Sequence, residues 1–289
     1  MSTSLAAVIR RSGAEAHQSG KGDKNSMKLL TVTLVSLVLG APAFAQGNTN
    51  MSTPLESASA LSTADIQSVS PALGRYAQED VVDSLWQRPQ LSRRDRSIVT
   101  VAILIARNQT LDLSHYMNIA LDSGVKPREL SEIITHLAFY SGWSNAISAV
   151  SVAKDVFAQR RIGPDQLPAA SPQLLPLNEQ AEANRVTNVQ RLLGTASPGL
   201  DQYTTDPLFK DVWLRPDLSP RDRSLVTITS LMANGQVAQL SGHLNRALDN
   251  GLTQEQAGEV ITQIAFYAGW PSAFSAGPVA AEVFRSRPN

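Results

Sequence analysis

The amino-acid sequence predicts an all-α protein made of two tandem copies of one helical domain. Three segments of the first half return in the second half at one constant offset, and about half of the positions in the whole aligned region, Ser92–Trp143 with Ser219–Trp270, are identical. These segments are Ser92–Thr100 with Ser219–Thr227, Ala120–Gly124 with Ala247–Gly251, and Ala138–Trp143 with Ala265–Trp270. Solenoid repeats recur roughly every 20–50 residues, so this longer period indicates a duplicated domain. No segment shows the alternation of apolar and polar residues that is typical of strands.

The first predicted helix of each copy is capped at its start and buried along its length. Ser92 precedes Asp95 by three residues, and Ser219 precedes Asp222 in the same way, which is the spacing of an N-cap box with Asp in place of Glu. The segments that follow are apolar nearly all round, which is typical of a central helix. These segments are Ile98–Ala106 and Leu225–Ala233.

The second helix of each copy is predicted over Leu111–Asp122 and Val237–Asp249. Gly124 and Gly251 follow these segments at the position where a left-handed residue ends a helix.

The third helix begins at Pro127 in the first copy, where proline suits the first turn, and at a Thr253-x-x-Gln256 capping box in the second. Gly142 and Gly269 end it. A fourth helix then runs to Arg160 in the first copy and to Arg285 in the second.

The N-terminal segment resembles a secretory signal. Lys28 precedes an apolar run of about a dozen residues, and Ala43-Phe44-Ala45 supplies the small residues of a cleavage site after Ala45. The run is shorter than the roughly 20 residues of a membrane span, so no membrane association is expected after cleavage. We therefore expect export, to a bacterial periplasm; the alternative is a buried N-terminal helix.

The rest of the chain divides at two polar or proline-rich stretches. Residues 46–67 are rich in Ser, Thr, Asn and Gln and are expected to form a flexible arm. Regular prolines in residues 163–176 disfavour a helix and suggest an extended linker. The predicted organisation is a signal region at 1–45, the arm at 46–67, the first helical domain at 68–162, the linker at 163–176 and the second helical domain at 177–289.

Composition excludes several classes of chemistry. The 289 residues are 43 % hydrophobic, enough for one or two cores, and the 25 basic and 25 acidic residues balance without a basic patch, which argues against nucleic acid as a partner. The absence of cysteine removes thiol catalysis, cysteine-ligated metal and disulfides. The spacing of the four histidines and the acidic residues forms no convincing metal site, and no glycine loop suits a phosphate. We expect no metal and no cofactor.

The repeated motifs resemble those of a known family. An Arg-Asp-Arg-Ser sequence that ends at Ser224 is followed by His243-x-x-x-Ala247 and then by Glu259 and a Tyr-Ala-Gly-Trp sequence that ends at Trp270. This pattern resembles the carboxymuconolactone decarboxylase family, which shares the helical fold of the alkyl-hydroperoxidase D proteins. The resemblance implies a homo-oligomer of small helical units, often a hexameric ring, which three tandem chains would mimic.

The residues at the family's reactive positions differ between the two copies. The peroxidase branch uses Cys-x-x-Cys-x-x-x-His. The matching residues are Gln236, Gln239 and His243 in the second copy and Gln109, Asp112 and Tyr116 in the first. Disulfide chemistry needs a thiolate, so peroxidase activity of that kind is excluded. The decarboxylase branch usually carries an acid where the second copy has Gln239. Each copy therefore lacks one half of the acid and histidine pair, which leaves either a composite site between copies or an inactive one.

Two histidines are the candidate catalytic bases. The resemblance implies that His243 acts as general acid and base, with Gln239 one turn earlier orienting it or the substrate. The alternative is a hydrogen-bonded structural histidine. His115 with Asp112, three residues earlier on the helix, is a second candidate pair.

Arginines and neighbouring groups are candidates for binding the substrate. Arg96 and Arg223, each beside a serine, suit a carboxylate; the alternative is a salt bridge at a helix end. Glu132 and Glu259 are either pocket acids or partners of those arginines. The remaining candidates are Ser97, Ser224, Tyr116, His136, Trp143 and Trp270, among which His136 also suits a core or interface position.

Together these features suggest an exported, cofactor-free decarboxylase that acts on a small carboxylated lactone or a related acid. Two alternatives stay open. One is a non-catalytic assembly or binding protein that keeps the fold, because the acid and histidine pairing is broken in both copies. The other is a lactone hydrolase or isomerase that uses the same groups.

Overall fold

A computed structural model describes residues 58–194 and 196–287 of the chain. The predicted signal region and residues 46–57 of the predicted arm lie outside the described residues. The described part is helical, with twelve α-helices and no strand within it. The all-α prediction is therefore confirmed.

Six helices belong to the first copy. They are α1 (Thr63–Val69), α2 (Pro71–Tyr76), α3 (Arg93–Ala106), α4 (Leu113–Asp122), α5 (Pro127–Tyr140) and α6 (Trp143–Gln159). A π-helical turn at Ala77–Val82 and a 3-10 turn at Leu85–Gln87 connect α2 to α3. The 3-10 turn holds Trp86, whose ring centroid lies 5.7 Å from Cζ of Arg93 at the start of α3.

The second copy repeats this order. Its helices are α7 (Glu179–Leu193), α8 (Pro198–Tyr203), α9 (Pro220–Ala233), α10 (Val237–Asp249), α11 (Gln254–Tyr267) and α12 (Trp270–Ser286). A π-helical turn at Thr204–Phe209 and a 3-10 turn at Val212–Leu214 repeat the connection of the first copy and place Trp213. The duplication therefore extends to the irregular turns.

The predicted helix ends have the expected local chemistry. The hydroxyl oxygens of Ser92 and Ser219 accept hydrogen bonds from the backbone N–H groups of Asp95 and Asp222, each at 3.1 Å. These bonds satisfy one of the donors that a helix N-terminus leaves unpaired.

Positive φ angles mark the predicted glycine stops. Gly124 and Gly251 have φ of 92° and 93°, and Gly142 and Gly269 both have φ of 98°. Residues other than glycine rarely adopt positive φ, so the four glycines in the sequence predict where these helices end.

The central pair of helices, α3 and α9, joins the two copies. Buried residues run without interruption from Asp95 to Ala106 in α3 and from Asp222 to Ala233 in α9. The buried apolar side chains of both copies form one continuous core in one compact unit. Because α5 packs against α9 and α11 against α3, side chains from opposite copies meet beside the central pair.

Four short or polar helices lie outside the predicted set. They are α1, α2, α7 and α8. The segment between the copies begins with a 3-10 turn at Pro164–Gln166 and then has no helix or strand before α7. Among the helices that the structure describes, none combines the length and the hydropathy needed to cross a bilayer.

Candidate functional site

Two equivalent clusters of side chains lie where the copies meet. Site one consists of Trp86 and Tyr116 from the first copy with Gln263 and Tyr267 from the second. Site two consists of Trp213 and His243 from the second copy with His136 and Tyr140 from the first. The constant offset of the duplication relates each residue of site one to one residue of site two.

Site two encloses His243 between aromatic rings of both copies. The indole Nε1 of Trp213 donates to the hydroxyl of Tyr140 at 3.0 Å. The His243 ring lies nearly parallel to Trp213, with centroids 6.1 Å apart and planes 12° from each other. Its edge meets Tyr140 with centroids 5.3 Å apart. His243 is therefore part of a composite site to which each copy contributes two side chains.

His136 is the fully buried side chain of site two. Its ring stacks on Tyr140 with centroids 4.8 Å apart, and its Nε2 lies 2.7 Å from the hydroxyl oxygen of Thr227. That hydroxyl donates its hydrogen to the backbone carbonyl of Arg223 at 2.8 Å, so the imidazole Nε2–H must be the donor in the other bond. The Nδ1 of His136 is then an unprotonated acceptor.

Several buried polar atoms at site two have no hydrogen-bond partner within the described chain. They are Nδ1 of His136, Nδ1 of His243, and Nε and Nη1 of Arg223. Site one differs in part. Nε of Arg96 also has no partner there, but the amide of Gln263 donates to Thr100 at 2.8 Å and accepts from Nη1 of Arg96, also at 2.8 Å. Buried polar groups without partners cost free energy, and such sites are frequently functional.

Burial holds both imidazoles of site two in the neutral form. Burial is the main cause that lowers the pKa of His243 to about 4, and the positive charge of Arg246 adds to it. Burial also lowers the pKa of His136 well below its usual value, with smaller contributions from Arg223 and His243. At neutral pH both rings are therefore uncharged and able to accept a proton.

Arg246 brings a positive charge to the edge of site two. Its guanidinium lies over the rings of Trp213 and Phe209, at 4.9 Å and 5.0 Å from their centroids. Those two rings are themselves stacked, with centroids 5.8 Å apart. The guanidinium makes no hydrogen bond or ion pair with any residue that the structure describes.

Site one holds tyrosines where site two holds a histidine. The hydroxyls of Tyr116 and Tyr267 lie 2.6 Å apart, and Nε1 of Trp86 donates to Tyr267 at 2.8 Å. Burial raises the pKa of Tyr267 to about 12 and that of Tyr116 well above its usual value. These phenols stay protonated at neutral pH and serve as hydrogen-bonding groups.

The segment before α1 covers part of site one. The Asp112 carboxylate accepts from the hydroxyl of Ser59 and from the backbone N–H of Ala60, each at 2.8 Å. The Tyr116 hydroxyl donates to the carbonyl of Ala58 at 2.6 Å. Ala58 and Asp112 also line an open cleft of about 530 Å³. Asp112 thus binds the chain's own N-terminal segment, and His115 lies beside it with its ring edge to Tyr116 at 5.0 Å.

The candidate arginines and glutamates form ion pairs that cross between the copies. Arg223 and Arg215 of the second copy contact Glu132 of the first, at 3.0 Å and 2.8 Å. The equivalent first-copy residues are Arg96 and Arg88, and both contact Glu259 of the second copy, at 3.0 Å and 2.7 Å. Arg96 and Arg223 are fully buried, so these pairs tie the copies together beneath each site.

The other candidate residues lie outside the two clusters. The hydroxyls of Ser97 and Ser224 donate to backbone carbonyls one turn earlier in their own helices, at 2.7 Å and 2.8 Å. Trp143 and Trp270 are 66 % and 52 % exposed at the starts of α6 and α12. Gln239 is exposed at the start of α10.

The structure brings together His243 and His136, which the sequence places in different copies. It does not bring Asp112 to His243, because Asp112 lies at site one. Tyr140, Trp213 and Arg246 were missed as site residues. Their sequence signals are weak: Arg246 follows His243 by three residues on one helix, and Trp213 lies in a 3-10 turn with no motif of its own. In the described part of the chain, no group of histidine and acidic side chains could hold a metal ion.

Comparison with known proteins shows that both copies match one protein family. Two stretches, residues 75–155 and 198–282, match the carboxymuconolactone decarboxylase family, and together they cover more than half of the chain. A 4-carboxymuconolactone decarboxylase of Acinetobacter baylyi is 41 % identical over 95 residues, which span 33 % of this chain and 68 % of that protein. Nitrosuccinic acid decarboxylase npaB of Metarhizium robertsii is 34 % identical over 71 residues, 25 % of this chain and 50 % of that protein.

Proposed function

The chain belongs to the carboxymuconolactone decarboxylase family, and from this premise we propose that it removes carbon dioxide from a small carboxylated lactone or a related acid at site two. Both relatives described above are named decarboxylases, which supports a carboxy-lyase. The observation that carries the assignment to site two is the pair of neutral imidazoles, His136 and His243, that two copies place against one tyrosine, Tyr140.

The reaction needs an electron sink, a proton and an environment that favours loss of charge. The carbon–carbon bond to the carboxylate breaks, carbon dioxide leaves, and the bonding electrons flow through the double bond of the lactone into its carbonyl. A proton is then added at carbon. Because the sink belongs to the substrate, the chemistry does not require a cofactor.

His243 is suited to the proton transfer. A neutral imidazole accepts a proton from solvent more readily once an anionic substrate lies beside it, because a nearby negative charge raises its pKa. The resulting imidazolium can protonate the carbanion when carbon dioxide has left. The unpartnered N–H groups of Arg223 supply fixed positive charge near His136, and preorganised charge of this kind stabilises an enolate.

The test compares matched variants of the two sites. Purified chain is supplied with 4-carboxymuconolactone and, separately, nitrosuccinic acid, and carbon dioxide release is measured. His243→Gln is expected to lower kcat at least about 100-fold, whereas Tyr116→Phe at the equivalent position of site one leaves it nearly unchanged.

Three results would contradict decarboxylation at site two. Unchanged turnover of His243→Gln would remove His243 from the reaction. A lactone that is hydrolysed or isomerised without carbon dioxide release would favour the hydrolase or isomerase alternative. Failure to convert any carboxylated lactone or nitro acid would favour the non-catalytic assembly alternative.

We also propose that the chain forms a homo-oligomer, with three tandem chains in a ring. Large apolar side chains remain exposed on α6 and α12 at equivalent positions, with Ile147 at 58 % and Phe274 at 75 %. Contiguous exposed apolar surface is typical of association sites. Light scattering after gel filtration is expected to give the mass of three chains, and Ile147→Asp with Phe274→Asp is expected to give single chains. A wild-type monomer would contradict the proposal.

Export to a bacterial periplasm remains a proposal from the N-terminal sequence. If it is correct, N-terminal sequencing of protein recovered from the periplasm begins at Gln46. Recovery of uncleaved chain from the cytoplasm alone would contradict it.

A further inference from the structure

The guanidinium of Arg246 is not hydrogen-bonded to or paired with a carboxylate of the described protein. Two carboxylates act on its charge, Glu182 and Asp249. Glu182 is already held by Arg185 through two hydrogen bonds of 2.7 Å, and Asp249 is paired with Arg287. Cζ of Arg246 instead lies over the rings of Phe209 and Trp213. A guanidinium donates hydrogen bonds from its edge, within its own plane, so this contact leaves its donors available to a ligand.

The same guanidinium lines a cleft of about 160 Å³. Phe209 and Trp213 form an aromatic wall, and Asn178 and Asn250 add amide groups. The Glu182 carboxylate also lines the cleft, with its charge paired to Arg185. An engineered apolar cavity of about 150 Å³ accommodates benzene, so this volume suits a ring of five or six atoms. The cleft shares Trp213 with site two, and Arg246 follows His243 by three residues on α10, which places both on one side of the helix.

The duplication provides an internal comparison for this cleft. At the positions of Arg246 and Phe209, the first copy has Ile119 and Val82, both buried in the core. At these two positions a cation and an aromatic ring thus occur only in the copy that also carries His243. In the first copy a different arginine, Arg93, lies over Trp86, 5.7 Å from the ring centroid. The fold tolerates an apolar residue at the position of Arg246, so folding alone does not call for a charge there.

We propose that Arg246 binds a carboxylate of the substrate, in bidentate geometry, while Phe209 and Trp213 contact a compact planar ring. The role in turnover rests on the proposed function, and the binding site itself does not. A cation that paired with the departing carboxylate would stabilise the ground state and oppose the loss of carbon dioxide. Arg246 therefore holds a carboxylate that stays on the substrate.

Binding is tested with benzoate as the probe and benzamide as its neutral counterpart, by calorimetry on the full chain. Benzoate is expected to bind the wild-type chain at least about 10-fold more tightly than benzamide. Arg246→Ile, which introduces the residue of the first copy, is expected to abolish that preference, and Arg246→Lys to keep part of it. Arg191→Ile, at an exposed arginine of α7, is the control and retains it. Equal binding of the two probes, or unchanged benzoate binding by Arg246→Ile, would overturn the proposal.

Kinetics separate this proposal from the decarboxylase assignment. With a two-acid substrate, Arg246→Ile is expected to raise KM about 10- to 100-fold with a smaller change in kcat, and His243→Gln to lower kcat while benzoate still binds. Benzoate binding that depends on Arg246 in a chain without lyase activity would uphold the site and reject the proposed function. Lyase activity whose KM is unchanged in Arg246→Ile would uphold the proposed function and reject the binding role of Arg246.

Discussion

The indole of Trp213 donates a hydrogen bond to the hydroxyl of Tyr140, although the two residues belong to different copies of the duplicated unit. The equivalent bond joins Trp86 to Tyr267 at site one. Each copy therefore completes the site of the other, and the two sites can be compared within one molecule.

Removal of either phenol hydroxyl is expected to destabilise the fold, more so for Tyr267 because it also bonds to Tyr116, and to have different effects on activity. Tyr140→Phe and Tyr267→Phe each leave a buried indole N–H without its acceptor, which costs about 1–3 kcal/mol in urea unfolding. Only Tyr140→Phe is expected to lower kcat/KM, because Tyr140 contacts both imidazoles of site two. Equal losses of activity in the two variants would contradict the assignment of chemistry to site two.

Stability is expected to fall as the pH drops from about 6.5 to about 4. Burial lowers the pKa of His243 from 6.5 to about 4, so in this window the unfolded chain binds a proton that the folded chain does not. The part of the free energy of unfolding that depends on a neutral His243 is fully present above pH 6.5. It is lost as the pH falls, and the loss is on the order of 2 kcal/mol by pH 5.

Urea unfolding of wild type and His243→Gln at pH 7 and pH 5 checks this sign. The variant is expected to lose less stability than wild type between pH 7 and pH 5. Part of the pH dependence of stability remains in the variant, because the pKa of His136 is also lowered. A larger loss in the variant would show that the sign is wrong.

The crossed ion pairs predict unequal costs for two equivalent substitutions. Glu132→Gln removes the negative charge beside Arg223, whose Nε and Nη1 already have no partner in the described protein. We expect a loss of about 3–5 kcal/mol. Glu259→Gln is expected to cost less, because Gln263 also binds Arg96 and because the second arginine, Arg88, has a side chain that is 44 % exposed. Urea unfolding of both variants measures the difference, and equal costs would contradict the explanation.

The covering of site one by the N-terminal segment is expected to depend on Asp112. Asp112→Asn weakens two hydrogen bonds from Ser59 and Ala60, so amide exchange of residues 58–61 is expected to accelerate about 10-fold. Hydrogen–deuterium exchange read by mass spectrometry measures this. Gln239→Asn, at the equivalent exposed position of the second copy, is the control and leaves that exchange unchanged. Equal protection in wild type and Asp112→Asn would show that the segment is held by other contacts.

The main helices could be predicted because their ends carry local chemical signals. Ser92, Pro127 and Gly142 each act within their own turn, and the structure places a helix boundary at each of them. The shorter helices α1, α2, α7 and α8 carry weaker patterns and depend on packing against the rest of the chain.

The sites were less predictable because they depend on contacts across the duplication. The sequence identified His243 and considered His136, but the meeting of these residues with Tyr140 depends on how α5 packs against α9. Glu132 illustrates the same limit, since its arginine partners lie more than eighty residues away in the second copy. The hydrogen bonds of Asp112 with Ser59 and Ala60 could likewise not be predicted, because the sequence around Ser59 and Ala60 indicates only a polar arm.

Fusion of the copies into one polypeptide has a consequence for stoichiometry and for evolution. A dimer of identical subunits would repeat any residue in both of its pockets, and a substitution in one pocket would always recur in the other. Here, His136 and His243 converge once, so each polypeptide is expected to carry a single reactive centre. Site one is then free to diverge, and a mutation in site one leaves the chemistry of site two unchanged.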